Sequence, residues 1–313
     1  MQAKHLLPLL SLLFVASACL FMTYNARGQW DFVLAFRSEK LLLLITIGYT
    51  IGVSTLLFQT LTHNPILTPS ILGFDALYIL VQSLLIFFFG GIGFTQLDQS
   101  GKFLFETLLM VSGALLLFRT LTKENVDLTK MILVGVIFGM LFRSLTNLLQ
   151  RMIDPTEFAV AQGSYFAQFN TVNSDVLWIG IVLAIVSAIW IWKQRHRLDV
   201  LLLGKSTAIS LGIEYHRFSR QLLICSALLV SVSTALVGPI LFLGLLVCAI
   251  VNAMTQTMHH SVRIPAVFLT SAITLILGQV VFEQILGLQG VLSAVIEFIG
   301  GLVFIGLMYR RQK

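Results

Sequence analysis

Apolar residues in this chain come in long unbroken stretches rather than alternating with polar ones, and most stretches end in a small cluster of charged, proline or glycine residues. The stretches run over Leu6–Tyr24, Leu41–Leu61, Ser70–Gly90, Phe103–Leu121, Met131–Leu149, Val176–Trp192, Leu222–Leu236, Ile240–Met254, Pro265–Phe282 and Leu292–Met308. Most approach the roughly 20 residues that a helix needs to cross the hydrocarbon of a bilayer. Lipid offers no partner to a backbone N–H or C=O, so only helices or closed barrels span it, and continuous apolar runs select helices. The pattern predicts an all-α polytopic membrane protein with about ten transmembrane helices, forming a single domain over residues 1–313.

Composition agrees. The chain is 57% hydrophobic and 11% charged, against roughly 25% charged residues in an ordinary soluble domain, so it cannot cover a water-facing surface. The net charge of +6 follows membrane topology rather than nucleic-acid binding. With both termini on the cytoplasmic side, that side receives Lys4, Arg119, Lys123, Lys130, Lys193, Arg195, Arg197, Lys205, Arg217, Arg220, Arg310, Arg311 and Lys313. The outer side then receives Arg27, Arg37, Lys40, Lys102 and Arg151. The opposite orientation inverts the usual bias of basic residues toward the inside. Cys19, Cys225 and Cys248 lie within apolar runs and read as small core residues, with no disulfide framework or metal spacing. Ala16-Ser17-Ala18-Cys19 has the look of a lipoprotein cleavage site, but a first membrane span explains the run equally well.

Two connections exceed a simple turn. Residues 151–175 form an outer interfacial segment with an amphipathic piece, expected as a short helix at the membrane surface. Residues 193–221 form the largest cytoplasmic feature, mixing apolar patches with charges in the manner of small helices docked on a partner.

Little supports catalysis. Leu203-Gly204-Lys205-Ser206 has the end of a phosphate-binding loop, but the glycine required five residues earlier is Asp199. His259-His260 is an adjacent pair without a nearby carboxylate at ligand spacing, expected as solvated histidines at a span end. Ionisable groups inside apolar runs are expensive and hence informative. Arg143 in the fifth run and Glu297 in the tenth are either an internal contact or the lining of a solvated path, where Arg143 attracts an anionic solute. Glu283 reads as an interface residue.

Residues 58–73, FQTLTHNPILTPSILG, resemble the Q-x-x-x-x-N-P-L-x-x-P-x-x-L-G segment of permease subunits of the iron-siderophore and cobalamin class of ATP-binding-cassette importers, the FecCD family. Gln59, Asn64, Pro65, Pro69, Leu72 and Gly73 match, with Ile66 in place of leucine. LLLGKSTAISLG over 201–212 is similar to the family's L-G-x-x-x-A-x-x-L-G coupling segment, and VGPILFLGLLV over 237–247 to its G-P-I-x-F-x-G-L-x-V segment.

The resemblance implies the type II ABC importer permease fold in a bacterial inner membrane. It implies a second permease subunit, expected as a heterodimer, two ATP-binding subunits and a periplasmic or lipid-anchored siderophore-binding protein as partners. Arg37 and Lys40 take the positions of the binding-protein dock. Gln59, Asn64, Pro65 and Ile66 belong to the inner gate and path, for which the charges in apolar runs add Arg143 and Glu297 as candidates. Leu203, Gly204, Lys205, Ala208, Leu211 and Gly212 couple to the ATPase. No catalytic residue, metal site or cofactor is expected in the chain itself: Mg-ATP belongs to the ATPase and iron travels as a chelate.

The sequence departs from the family pattern at Cys248–Asn252, where P-H-x-x-R is usual, and at Leu288–Ser293, where E-x-P-x-G is usual. The ending SAVIEFIGGLVF looks like the branch serving catecholate siderophores such as vibriobactin or enterobactin. The alternative reading is a secondary transporter of a small anionic solute driven by an ion gradient, which predicts internal repeats and coupling-ion residues at mid-membrane.

Overall fold

The computed structural model describes residues 3–25, 30–121, 128–170, 173–255, 257–284 and 292–311. Arg27, Lys123, Lys313 and the 288–291 part of the departing segment lie outside them. Among the described residues the regular structure is all helical, with no strand. In chain order the helices are α1 (Ala3–Thr23), α2 (Trp30–Thr62), α3 (Phe74–Gln96), α4 (Gln99–Leu121), α5 (Leu128–Met152), α6 (Pro155–Ser164), α7 (Ser174–Leu201), α8 (Lys205–Ser210), α9 (Tyr215–Val237), α10 (Leu243–Met254), α11 (His260–Gln284) and α12 (Leu292–Arg311). A 3-10 turn over Pro69–Leu72 precedes α3. Each of the apolar runs read from the sequence falls on one helix. Seven of the described helices (α1, α2, α3, α5, α7, α9 and α11) are long and apolar enough to cross a membrane.

The bundle is built around α2. At 33 residues it is about 50 Å long, and its central turns are buried on nearly every side. It packs along α9, α10 and α11, with α1 and α7 completing its sheath. Small residues permit the closest of these approaches. A Cβ on Gly48 would lie 2.9 Å from the backbone nitrogen of Ala272 in α11, and one on Gly52 would lie 3.0 Å from the Val267 side chain. Lipid tails are as apolar as leucine, so membrane helices associate through such close packing rather than through escape from water.

Three elements differ from the plain run of apolar residues. The third run ends at Gly90, but α3 continues to Gln96 after a kink where Gly90 adopts φ 69°. The eighth run, Ile240–Met254, holds a helix of only 12 residues, about 18 Å at helical rise, preceded by non-helical backbone from Gly238. The 193–221 stretch is mostly continuous with its neighbours. Lys193–Leu201 prolongs α7 and Tyr215–Gln221 begins α9, leaving α8 and two short links between them.

The 151–175 stretch contains α6. Pro155 occupies its first turn, and Asp154 caps it by accepting from the Thr156 backbone N–H at 2.9 Å. The Thr156 hydroxyl and amide together hold the Asp154 carboxyl below the usual carboxylate range.

Candidate functional site

The polar turn after α2 is shaped by its own side chains. Gln59 is buried and donates through Nε2 to the Pro65 carbonyl at 2.7 Å, while Asn64 Oδ1 accepts from the Ile66 amide at 3.0 Å. His63 takes the left-handed conformation at φ 49°, a region open to few side chains other than glycine, asparagine and aspartate. Gly73 follows at φ 88°, and its backbone touches α5: a Cβ there would lie 2.7 Å from the Gly139 Cα. The turn and α5 therefore meet backbone to backbone.

Two cavities lie along α5 beyond that contact. The first, about 410 Å³, is lined by Asp75, Arg143, Thr146, Asn147, Tyr165 and Glu297 among others. The second, about 430 Å³, takes in Ile66, Thr68, Ser70, Gly73 and Met140. Arg143 and Leu241 line both, so the two cavities adjoin at the guanidinium. The helical spacing explains the lining: 136, 139, 140, 143, 146, 147 and 150 recur at three and four residues and fall on one face of α5.

Charge is concentrated in the first cavity. Asp75, in the first turn of α3, is buried, and its Oδ2 has no hydrogen-bond partner among the described residues. It interacts electrostatically with both Arg143 and Glu297. Glu297 accepts from the Leu241 amide at 3.3 Å, serving a backbone donor left free by the non-helical approach to α10. A carboxylate is well placed there, beside the positive end of a helix. One cation and two carboxylates thus face a single space.

The bundle end that carries the polar turn also carries α8. Ala208 is fully buried as its foot, whereas Leu203, Ile209 and Leu211 are 60%, 51% and 60% exposed. Gly204 and Gly212 bracket the helix with φ of 98° and 84°. The result is a short knuckle at the bundle end that presents Leu203, Ile209 and Leu211 to the outside. At the opposite end, Arg37 donates to the Phe21 and Tyr24 carbonyls, each at 2.8 Å, closing the last turn of α1. Lys40 is buried, paired with Glu283 of α11 and hydrogen-bonded to Asn170.

Compared with known proteins, the chain matches the FecCD transport family over residues 8–310. The chain belongs to the FecCD transport family. This FecCD protein is 41% identical over 295 residues to the petrobactin import system permease protein YclO of Bacillus subtilis, covering 94% of this chain and 93% of that one. It is 33% identical over 262 residues to the petrobactin import system permease protein FatC of Bacillus anthracis, covering 83% and 74%. Its fold matches that of a solved metal-chelate type ABC transporter in an inward-facing conformation with a TM-score of 0.86 at 23% identity, over 98% of this chain and 99% of that one. The architecture is the type II ABC importer permease fold, and the chain is a permease subunit rather than an enzyme.

Of the residues singled out from the FecCD sequence, Arg143, Glu297 and Ile66 line the adjoining cavities. Gln59, Asn64 and Pro65 instead set the shape of the turn that presents Ile66. Arg37 and Lys40 stand at one end of α2 but are committed to internal partners. Asp75 carries no distinctive sequence signal, because it follows directly on the Gly73 motif and reads as a helix-start carboxylate. His260 was expected to be solvated and is instead fully buried, bonded to Asp199 and Thr60. A buried histidine partnered by a carboxylate 61 residues away in sequence leaves no local signature.

Proposed function

We propose that this chain is the permease subunit of an ATP-driven importer that carries a ferric siderophore across a bacterial inner membrane into the cytoplasm. It pairs with a second permease, two ATP-binding subunits and an outer siderophore-binding protein. The observation that carries this reading is the polar strip on α5. Arg143 and Asn147 are exposed on a helix whose other exposed side chains include Leu133, Ile137, Met140, Leu141, Leu145 and Leu148. A guanidinium facing hydrocarbon costs at least about 2.5–3.5 kcal/mol. A second permease placed against α5 encloses this strip, turning the cavities of Arg143, Asp75 and Glu297 into one wet path.

The excess of lysine and arginine on that side supports a cytoplasmic α8 end. There Leu203, Ile209 and Leu211 supply an apolar surface for the ATPase, with Gly204 and Gly212 setting the bends, Lys205 at the rim and Ala208 anchoring it. The outer end is held by Arg37 and Lys40, whose contribution to binding-protein docking runs through keeping α1, α2 and α11 in register. The ferric cargo is supported by the family motifs and by the petrobactin import relatives. A catecholate-type chelate is the finer reading, drawn from the C-terminal resemblance and from Arg143; Asp75 and Glu297 oppose a purely electrostatic preference for anions.

The deciding experiment is ⁵⁵Fe uptake by a strain lacking this chain, across ferric petrobactin, a catecholate, a hydroxamate and ferric citrate. Loss confined to one or more siderophores, restored by the wild-type chain and blocked by vanadate, is the expected result. Uptake that ignores vanadate and follows the proton gradient overturns the reading in favour of a secondary transporter.

A further inference from the structure

A line of hydrogen bonds, buried at His260 and Thr60 and partly exposed at Asp199, runs across the cytoplasmic end of the bundle, from the root of the α8 knuckle to the end of α2. Asp199 sits in the last turn of α7, four residues before Leu203. Its Oδ1 accepts from both the backbone N–H and the Nδ1 of His260, each at 2.7 Å. On the other side of the same ring, Nε2 lies 2.8 Å from the Thr60 hydroxyl. Thr60 is in the last turn of α2, beside Gln59 and four residues before Asn64. The His260 side chain is 0% exposed. In the same first turn of α11, Arg263 donates to Asn252 Oδ1 of α10 at 2.6 Å, so the same helix start also holds α10, whose Leu245 borders the second cavity.

We propose that His260 is a positioning residue for transport, the middle of an Asp199–His260–Thr60 link that carries displacement of the α8 knuckle to the polar turn holding Ile66. The inference rests on reading residues 203–212 as the ATPase dock. Three features favour a transmitting role over simple cohesion. The link joins the two segments that must move together, each within one helical turn of its anchor. It is directional: packed leucines slide past one another, whereas hydrogen bonds to a carboxylate are made or broken, giving the two discrete arrangements that coupling needs. Its ring is also buried, and a buried polar group stripped of its partner is costly, so the ring resists parting from either neighbour. Asp199 further anchors the start of α11, where a carboxylate stabilises the positive helix end.

The test uses the assembled importer in proteoliposomes, with its ATPase and cargo-loaded binding protein. Thr60→Val keeps shape and removes the hydroxyl, which meets both His260 Nε2 and the Leu56 carbonyl of its own helix; His260→Ala removes the ring; His260→Asn restores a donor toward Asp199. For Thr60→Val and His260→Ala we expect the ATPase to remain bound and hydrolysis to continue, while cargo moved per ATP falls roughly tenfold, inside the usual range of coupling between sites. His260→Asn recovers part of that loss. Transport and hydrolysis falling in parallel, or an unchanged cargo-to-ATP ratio in the intact Thr60→Val complex, overturns the link. Leu203→Ser with Leu211→Ser separates the two readings: if the ATPase stays attached, the docking reading has failed, whatever the link does.

Discussion

The pairing of Lys40 with Glu283 gives a sharp prediction, because a buried pair and an exposed docking cation respond oppositely to the same change. Lys40 and Glu283 are 7% and 16% exposed in their side chains, and Gln279 also donates to Glu283 Oε1 at 2.7 Å. Removing one member of a buried pair leaves an uncompensated charge, at a cost of about 3–5 kcal/mol. Because Glu283 reaches some solvent, Glu283→Gln belongs at the lower end, near 3 kcal/mol. For a chain of this size about 2 °C is lost per kcal/mol, so melting should fall by roughly 6 °C. The assay is loss of monodispersity on heating, followed by fluorescence-detected size exclusion in detergent. Lys40→Met should fall similarly, and Lys40→Met with Glu283→Gln should lose less than the sum of the singles, the mark of a direct interaction. If both singles melt with the wild type while binding-protein capture disappears, the pair is not formed and Lys40 meets the binding protein directly.

Other predictions concern packing, path and coupling. Gly52→Val places methyl groups against Val267 and Ser271 of α11; overpacking of this kind costs about 1–3 kcal/mol and should lower the yield of folded protein, while Gly52→Ala is milder. Arg143→Gln and Asp75→Asn should each cut siderophore uptake at unchanged protein level and ATPase retention; wild-type uptake by both would remove them from the path. Leu203→Ser with Leu211→Ser should release the ATPase on affinity purification while leaving melting unchanged, because both side chains are 60% exposed and support nothing in the bundle.

Much of this architecture is legible in the chain because membrane crossing imposes a length and a polarity that a sequence cannot hide. The spans, the polar turn at Asn64–Gly73 and the knuckle at Gly204–Gly212 each carry a local physical signature. Arg143 and Glu297 were legible for a different reason: a charge in an apolar run demands an explanation. What stayed out of reach depends on pairs brought together by folding. Lys40 looks like an ordinary flanking cation until α11 sets Glu283 against it. His260 looks solvated until Asp199 and Thr60 converge on it from two other helices. The break before α10 was hidden for another reason, since Gly238-Pro239 leads into an apolar run and the helix shortens without any change in hydrophobicity.

The meeting of Gly73 with Gly139 has a kinematic consequence. No side chain cushions that joint, so it offers no rotamer to absorb a change in spacing. The turn and α5 must travel as one piece or separate cleanly. Arg143 lies one helical turn beyond Gly139, on the wall shared by both cavities. The spacing between the turn and the α5 wall shared by the two cavities is therefore set by hydrogen atoms on glycine. Alanine at Gly139 would act as a shim, pushing the α5 wall away from the turn by a fraction of its own width.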